Sequence, residues 1–179
     1  MLSLSPDDVR RFSRTILLRP VGGRGQSRLL ESRVLAEGSG ATLEAFLLFA
    51  RRAGLGLVEV GPADLVVFAG RRPGPSPDDL GRTAVVALEG QAGVAVVSLE
   101  EGEEPGPGER LRAAALAAGR PRAAHGALAL AAGAHLANLA LRRRLEPRFD
   151  PAAPAIALFR CDDPLPSVLP LRVPDRGRE

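Results

Sequence analysis

The sequence predicts an α/β fold, a Rossmann-like three-layer domain with a shortened, mostly parallel sheet. Short apolar runs alternate with segments of helical periodicity, as in chains that place helices on both faces of a sheet. Residues 65–69 form a continuous apolar run, which is typical of a central parallel strand. Gly38-Ser39-Gly40 separates an earlier apolar run from a helix, as does the turn that opens a nucleotide-binding βαβ unit.

Length and composition indicate one globular domain. The chain has 179 residues, of which 45% are apolar, and a domain of this size buries about 70% of its unfolded-chain surface without covalent staples. The single cysteine, Cys161, excludes an internal disulfide framework and a cysteine-based zinc site. No apolar run reaches membrane-spanning length, and residues 1–8 lack signal-peptide features, so we expect a cytoplasmic protein without membrane contacts.

The high isoelectric point does not indicate a nucleic-acid-binding protein. The pI of 10.6 accompanies a net charge of only +3, because the chain has no lysine or tyrosine to titrate between histidine and arginine. The arginines are interspersed with acidic residues, and there are six Phe, no Trp and no Tyr to stack on bases. We therefore expect no nucleic-acid partner.

The N-terminal half is predicted to hold three helices and three strands. Ser5 and Pro6 start the first helix, since serine is a good cap and proline suits the first helical position. Residues 20–25 are expected to stop that helix, and residues 26–31 to form a short second one. Residues 42–53 are apolar nearly all round, so this helix is expected to be buried on most sides. Strands are predicted at residues 34–37, 57–60 and 65–69.

The C-terminal half is predicted to hold two paired strands, two helices and a last strand. The longest helix is expected over residues 122–145, interrupted by Gly126 and Gly133, where small residues let another element approach closely. Residues 164–179 contain four prolines and are expected to be extended or loose. The remaining predictions are strands at 83–88, 94–99 and 155–159, a helix at 109–118, and loops at 71–81 and 100–109.

Three N-terminal segments occur in an order that resembles one enzyme family. Residues 11–18 read Arg-Phe-Ser-Arg-Thr-Ile-Leu-Leu, residues 22–30 read Gly-Gly-Arg-Gly-Gln-Ser-Arg-Leu-Leu, and Arg-Val-Leu at 33–35 leads into the Gly-x-Gly turn. In this order they resemble the N-terminal region of the ThiF/MoeB/HesA family, which is related to the ubiquitin-activating enzymes. Looser similarity at residues 63–67, 90–94 and 125–128 extends the resemblance over most of residues 7–145.

The resemblance implies an adenylating enzyme. Members of the family bind ATP and Mg²⁺ and adenylate the C-terminal glycine of a small ubiquitin-like sulfur-carrier protein, usually as homodimers. Gly38 and Gly40 match the phosphate-binding turn, although Leu43 replaces a third glycine. Arg14 matches an arginine that reaches the nucleotide from the dimer partner. These three matches are the candidate cofactor-binding residues, and no residue is matched to a catalytic role or a metal.

The match to the family fails beyond Gly56. There the family has a strand ending in a ribose-binding aspartate, an arginine segment and a lysine-bearing helix, whereas this chain runs from residues 57–61 almost directly to Asp64. A piece on the order of 30 residues or more, the size of a βαβ unit, is missing. Glu59 is a weak substitute for the aspartate, and residues 69–71 lack the carboxylate that the family uses for its metal.

These losses predict a degenerate member of the family. Glu37 and Glu44 flank the turn and act against a bound phosphate, so the turn is interpreted as a connection between a strand and a helix. We expect a pseudoenzyme without a cofactor, which acts as a protein-binding or dimerisation module. Its expected partners are a second copy, an active family member or a ubiquitin-like carrier protein. The alternative is a surviving ATP-dependent adenylyltransferase that uses ATP and Mg²⁺, so enzymatic activity stays open.

In this interpretation residues 1–150 form the degenerate ThiF-like domain with its N-terminal helical segment. Residues 151–179 form a C-terminal strand and a proline-rich tail.

The other chemically able residues give weaker signals. His125 and His135 are ten residues apart on one predicted helix, so they do not share a face, and ordinary packing roles are favoured. Cys161 precedes two aspartates, which favours an ordinary free cysteine over a reactive thiol. The run 142–144, three arginines, is interpreted as a solvated helix end, with contact to an acidic partner as the alternative.

Overall fold

The computed structural model describes residues 4–19, 21–71, 83–100, 106–120, 122–145, 155–160 and 167–170. The helices in these ranges are α1 (Pro6–Arg11), α2 (Ser13–Ile16), α3 (Gly22–Glu31), α4 (Ala41–Ala53), α5 (Pro107–Ala118) and α6 (Gly126–Leu145). The strands are β1 (Val34–Gly38), β2 (Leu57–Val58), β3 (Leu65–Gly70), β4 (Thr83–Gly90), β5 (Gly93–Glu100), β6 (Ala155–Phe159) and β7 (Ser167–Pro170).

The seven strands form one mixed sheet in the order β2-β1-β3-β4-β5-β6-β7. The first four strands pair in parallel, and the remaining three join by antiparallel steps. Because two antiparallel steps restore the strand direction, β6 points the same way as the four parallel strands. The predicted α/β class and the central position of β3 are confirmed. Strands β6 and β7, which follow residue 150, extend the same sheet.

Helices cover the sheet from both sides and make the three layers. On one face α4 and α6 pack on each other and on the central strands, around the fully buried Phe46, Val67 and Leu136. On the other face α5 packs on β4, β5 and β6, against Val86, Val97 and Ile156. Both faces of β4 and β5 are therefore buried, which explains their nearly continuous apolar sequence.

The close packing of α4 on α6 depends on a glycine. A Cβ atom built at Gly133 would lie 2.5 Å from the Cβ of Ala45 and 2.8 Å from the backbone nitrogen of Phe46. The expectation that small residues in the longest helix let another element approach is thus confirmed. Gly126, however, is the first residue of α6 rather than an interruption of it.

The helix α3 corrects a prediction about glycine. Residues 20–25 were expected to end the first helix and residues 26–31 to form the second, but α3 begins at Gly22, four residues before the predicted start. Gly25 is buried, and a Cβ there would lie 3.0 Å from Cδ2 of Leu145. The tertiary contact with the end of α6 therefore outweighs the poor helix propensity of glycine.

The helix α4 is less enclosed than its composition suggested. Phe46 and Ala50 are fully buried, but Leu48 is 43% exposed, and Glu44 and Arg51 are exposed as well. The helix packs against α6 on one side, whereas β2 ends the described sheet on the other. The prediction of burial on most sides is therefore wrong for the outer face.

The chain ends that the structure describes are only partly as expected. Ser5 caps α1 in a reciprocal capping box with Asp8, as predicted. Within the tail expected to be extended or loose, residues 167–170 are extended and form the edge strand β7. Loops were predicted at 71–81 and 100–109, of which residues 72–81 and 101–105 lie outside the described residues. The second prediction is wrong at its ends, because β5 runs to Glu100 and α5 begins at Pro107. None of the described helices combines the length and apolar character needed to cross a bilayer.

Candidate functional site

The Gly38–Gly40 turn connects β1 to α4 at the carboxyl end of the parallel strands. Gly38 has φ +107° and Gly40, the N-cap of α4, has φ +103°, both in the range that favours glycine. A Cβ at Gly38 would lie only 2.1 Å from the carbonyl oxygen of Ala69 on β3. The Ser39 amide donates to that same oxygen at 3.0 Å. The backbone therefore requires glycine at Gly38 whether or not a ligand binds.

A buried glutamate lies beside the turn, and its hydrogen bond goes to the segment before α6. Glu89, near the end of β4, is only 2% exposed, and its Oε2 accepts a hydrogen bond from the Ala124 amide at 3.0 Å, just before α6. A Cβ built at Gly40 would lie 3.4 Å from its Oε1 and 3.5 Å from its Oε2. The carboxylate thus lies beside the start of α4 and bonds to the segment leading into α6. Helix N-termini carry partial positive charge, which stabilises a carboxylate in this position.

Substitutions at Glu89 distinguish its shape from its charge. Glu89→Ala removes the acceptor for the buried Ala124 amide and leaves a cavity, so we expect a loss of about 2–4 kcal/mol in unfolding free energy. Glu89→Gln keeps the shape and an acceptor oxygen and should cost clearly less. Urea denaturation of both variants measures the difference. Equal losses would show that the charge of Glu89, rather than its shape and its hydrogen bond with Ala124, stabilises the fold.

The charged side chains next to the turn are acidic. Glu37 precedes Gly38 and Glu44 lies in the first turn of α4, and both side chains are exposed. Thr42 is fully buried, and its hydroxyl has no hydrogen-bond partner among the described residues. No side chain within two residues of the turn is a cation that could pair with a phosphate, and the charged neighbours of the turn, Glu37 and Glu44, are both acids.

The β2 side of the turn lacks the structure that a nucleoside would need. Strand β2 has only two residues and pairs with Val34 and Leu35, at the amino end of β1. The chain then reaches β3 through six residues, 59–64. Glu59 follows β2 directly, is exposed, and lines a cleft with Ala36. It therefore lies level with the middle of β1, short of the turn, and is no substitute for a ribose-binding aspartate.

Hydrogen bonds hold this short connection in place. The Arg33 side chain donates through Nε to the Pro62 carbonyl at 2.8 Å. The Arg33 amide donates to Oδ2 of Asp64 at 3.1 Å, and the Asp64 amide returns a bond to the Arg33 carbonyl at 2.8 Å. Arg144, at the end of α6, pairs with the same Asp64 oxygen at 3.0 Å. Residues 59–64 thus form a short, hydrogen-bonded connection that contains no further nucleotide-binding segment.

The structure brings together Gly38 and Gly40 but does not add Arg14 to them. Arg14 is exposed on α2 and lines neither of the clefts beside α4. Within the described ranges, no three His, Cys, Asp or Glu side chains come together as a set that would hold a metal ion. Among the described residues, the turn is therefore not accompanied by a set of side chains that would hold Mg²⁺.

The two histidines and the arginine run lie in different environments. His135 is half-buried and its ring lies 5.3 Å from that of Phe159, and burial lowers its pKa from the usual 6.5. His125 is exposed ahead of α6. Arg143 donates to Oγ of Ser98 through Nε at 3.0 Å and Nη2 at 2.8 Å. The prediction of a solvated arginine run is therefore wrong for Arg143, and also for Arg144, which pairs with Asp64. Cys161 lies outside the described residues.

Sequence reasoning missed two features of this region. Glu89 ends an apolar run and was assigned to the connection between two strands, although it is buried. The sequence signal for this was weak, an acid followed directly by Gly90. In the structure that glycine is tightly packed, since a Cβ built there would lie 2.0 Å from the Ala118 carbonyl oxygen. The exposed face of α4 was hidden by the apolar composition of that helix.

Fold and turn define the chain as an α/β protein of Rossmann-like, three-layer architecture. The sequence matches no family model, and a search of curated proteins finds no match. A particular family and activity must therefore be argued from the residues themselves.

Proposed function

We propose that this chain is a catalytically degenerate relative of the ThiF/MoeB/HesA enzymes, which acts by binding proteins rather than by transferring adenylate. The basis for the family is the ordered N-terminal resemblance together with the strand, Gly-x-Gly turn and helix at β1 and α4. The proposed setting is the cytoplasm. The proposed partners are a second copy, an active family member or a ubiquitin-like carrier protein.

One observation carries the proposal: β2 ends beside Leu35, and six residues later the chain enters β3. In the enzymes that the chain resembles, this part of the sequence supplies the ribose-binding aspartate, the arginine segment and the lysine. Adenylyl transfer depends on cations that neutralise the phosphate oxygens. The chain has no lysine, and the 59–64 link has only six residues, so we infer that the described part of the chain lacks the charged groups of that reaction.

The absence of these charged groups leaves the unit of β1, the turn and α4 in place. Gly38 is required by the contact with Ala69, and Glu89 ties the turn region to the start of α6. The unit at β1 and α4 is thus stable for reasons independent of ATP. A frame that persists without its chemistry is what we expect of a binding module derived from an enzyme.

The alternative function is an ATP-dependent adenylyltransferase acting on the C-terminus of a ubiquitin-like carrier. Two observations favour it: the turn at the N-terminus of α4 keeps both glycines, and Arg14 is exposed, where it can reach a partner subunit. In that case the missing cations would come from a second chain.

Calorimetry with ATP and Mg²⁺, paired with pyrophosphate exchange in the presence of candidate carrier proteins, separates the two functions. We expect no saturable heat up to about 1 mM ATP, which corresponds to a binding free energy weaker than about −4 kcal/mol. We also expect no exchange of labelled pyrophosphate into ATP. Micromolar binding with exchange would establish the adenylyltransferase and overturn the proposal, and binding without exchange would indicate a nucleotide-dependent regulator instead.

A further inference from the structure

The outer face of α4 carries an ordered stripe of side chains. It consists of five residues spaced i, i+3, i+4, i+7 and i+8, which lie on one face of a helix, namely Glu44, Leu47, Leu48, Arg51 and Arg52. Arg11, at the end of α1, lines the same surface, and together these side chains border a cleft of about 570 Å³. Leu48 is 43% exposed within it.

A second cleft continues this one toward β2. It has a volume of about 610 Å³ and shares Arg11, Leu47 and Arg51 with the first. Its lining mixes polar and apolar groups, and the apolar ones include Leu55 and Leu57. We call the two clefts together the α4 groove. It is long and open, which suits an extended or helical peptide better than a compact small molecule.

Positive charge is concentrated in the middle of the α4 groove. Arg11 and Arg51 line both clefts, whereas Glu44 and Glu59 each line only one. Arg51 and the neighbouring Arg52 are exposed and form no ion pair within the described part of the chain. Arginine presents a planar fork that matches a carboxylate, so these side chains are suited to acidic groups of a partner.

Stabilisation of the helix alone does not account for this surface. Arginines in the last turn of α4 interact favourably with the helix dipole, which explains Arg51 and Arg52 individually. The helix dipole does not explain why Leu48 is exposed between Glu44 and the two arginines. Arg11 lines the same cleft. The cleft thus combines two apolar side chains, Leu47 and Leu48, with several arginines and one acid, and this mixture suits an amphipathic partner.

Nucleic acid is a poorer match for the α4 groove than a peptide. Base stacking needs exposed aromatic rings, and Phe12, the aromatic residue that lines the groove, is 2% exposed. Its ring is covered on one side by the guanidinium of Arg11 at 5.1 Å. The exposed apolar side chain of Leu48 also offers nothing to a phosphate backbone.

We propose that the α4 groove binds an acidic peptide segment of a partner protein, in which Asp or Glu residues alternate with large apolar residues. The inference rests on the proposed function as a protein-binding module, and it names the surface and the chemistry of the partner. Apolar side chains of the segment contact Leu47 and Leu48. Its carboxylates pair with Arg11, Arg51 and Arg52, and this charge complementarity sets the orientation.

Selection from a displayed library of random dodecapeptides on the full chain tests the inference. We expect the enriched peptides to be acidic and to contain Leu, Ile, Phe or Val. A synthetic peptide of the enriched sequence should bind at least about tenfold more weakly to the double variant Arg51→Glu/Arg52→Glu, because like charges then face each other. The matched control is Arg112→Glu/Arg120→Glu, which reverses two exposed arginines of the α5 region and should leave affinity unchanged.

The possible outcomes are distinguishable. Circular dichroism and a thermal melt establish that both double variants are folded, and Leu48→Ser provides a variant that keeps the charge. Enriched peptides that bind both double variants equally, or that are basic, would overturn the inference but leave a protein-binding function intact. Binding of a single-stranded oligonucleotide with the same sensitivity to Arg51→Glu/Arg52→Glu would assign the surface to nucleic acid and also overturn it.

Discussion

Replacing Gly133 by valine is expected to separate α4 from α6 and to destabilise the fold by about 3 kcal/mol or more. A Cβ at this position would lie 2.5 Å from the Cβ of Ala45, and 2.8 Å from both the Phe46 nitrogen and the Thr42 carbonyl oxygen. Two of these three atoms belong to the backbone of α4, so the clash cannot be relieved by a rotamer change. The helices must move apart and expose Phe46, which is fully buried.

The matched control for this substitution is Ala131→Val, which adds the same side chain at an exposed position of the same helix. It should cost only the difference in helix propensity, a few tenths of a kcal/mol. Chemical denaturation followed by circular dichroism measures both variants. Similar losses for Gly133→Val and Ala131→Val would contradict the close packing of α4 on α6.

Gly38→Ala should be nearly as damaging, with an expected loss of about 3 kcal/mol. The residue has φ +107°, and the new methyl group would lie 2.1 Å from the carbonyl oxygen of Ala69. That carbonyl is held in place by the Ser39 amide and by the pairing of β1 with β3. Strain and clash therefore add at one position.

Gly22→Ala separates these two contributions. Gly22 also has a positive φ, +57°, but a Cβ there would meet no atom within 4 Å. It should lose only the conformational strain, about 1–2 kcal/mol. If Gly38→Ala costs no more than Gly22→Ala in the same denaturation assay, the contact with Ala69 does not fix the turn.

Local patterns in the sequence predict the part of the fold on which the turn is built. An apolar run, two glycines and a helix start lie within 20 residues, so β1, the turn and α4 follow from propensity and periodicity. The continuous apolar run at β3 likewise predicts a strand covered on both faces, and β3 lies inside the sheet between β1 and β4.

Contacts between distant residues account for what the sequence did not predict. Glu89 is buried because it bonds to Ala124, 35 positions later. The glycines of α3 are helical because Gly25 packs on Leu145. The outer face of α4 is exposed because no described strand lies beyond β2, and the apolar composition of the helix carries no information about its neighbours.

The same limit applies to the arginines at the end of α6. A run of three cations at a helix end is normally solvated, and only the fold reveals that Ser98 and Asp64 lie within reach of the second and third of them. A sequence-based assignment of charged surface therefore overestimates how much of it is available to partners. Arg51 and Arg52 differ in this respect, since neither has a described ion pair.

The central claim is that the Gly38–Gly40 turn now serves the fold and not a nucleotide. The most direct test follows the backbone amide resonances of Gly38, Ser39 and Gly40 in the isotope-labelled chain while ATP and Mg²⁺ are added. We predict that these resonances do not shift at nucleotide concentrations up to about 1 mM. Saturable shifts of the three amides at micromolar ATP would contradict the claim and show that the turn binds the nucleotide.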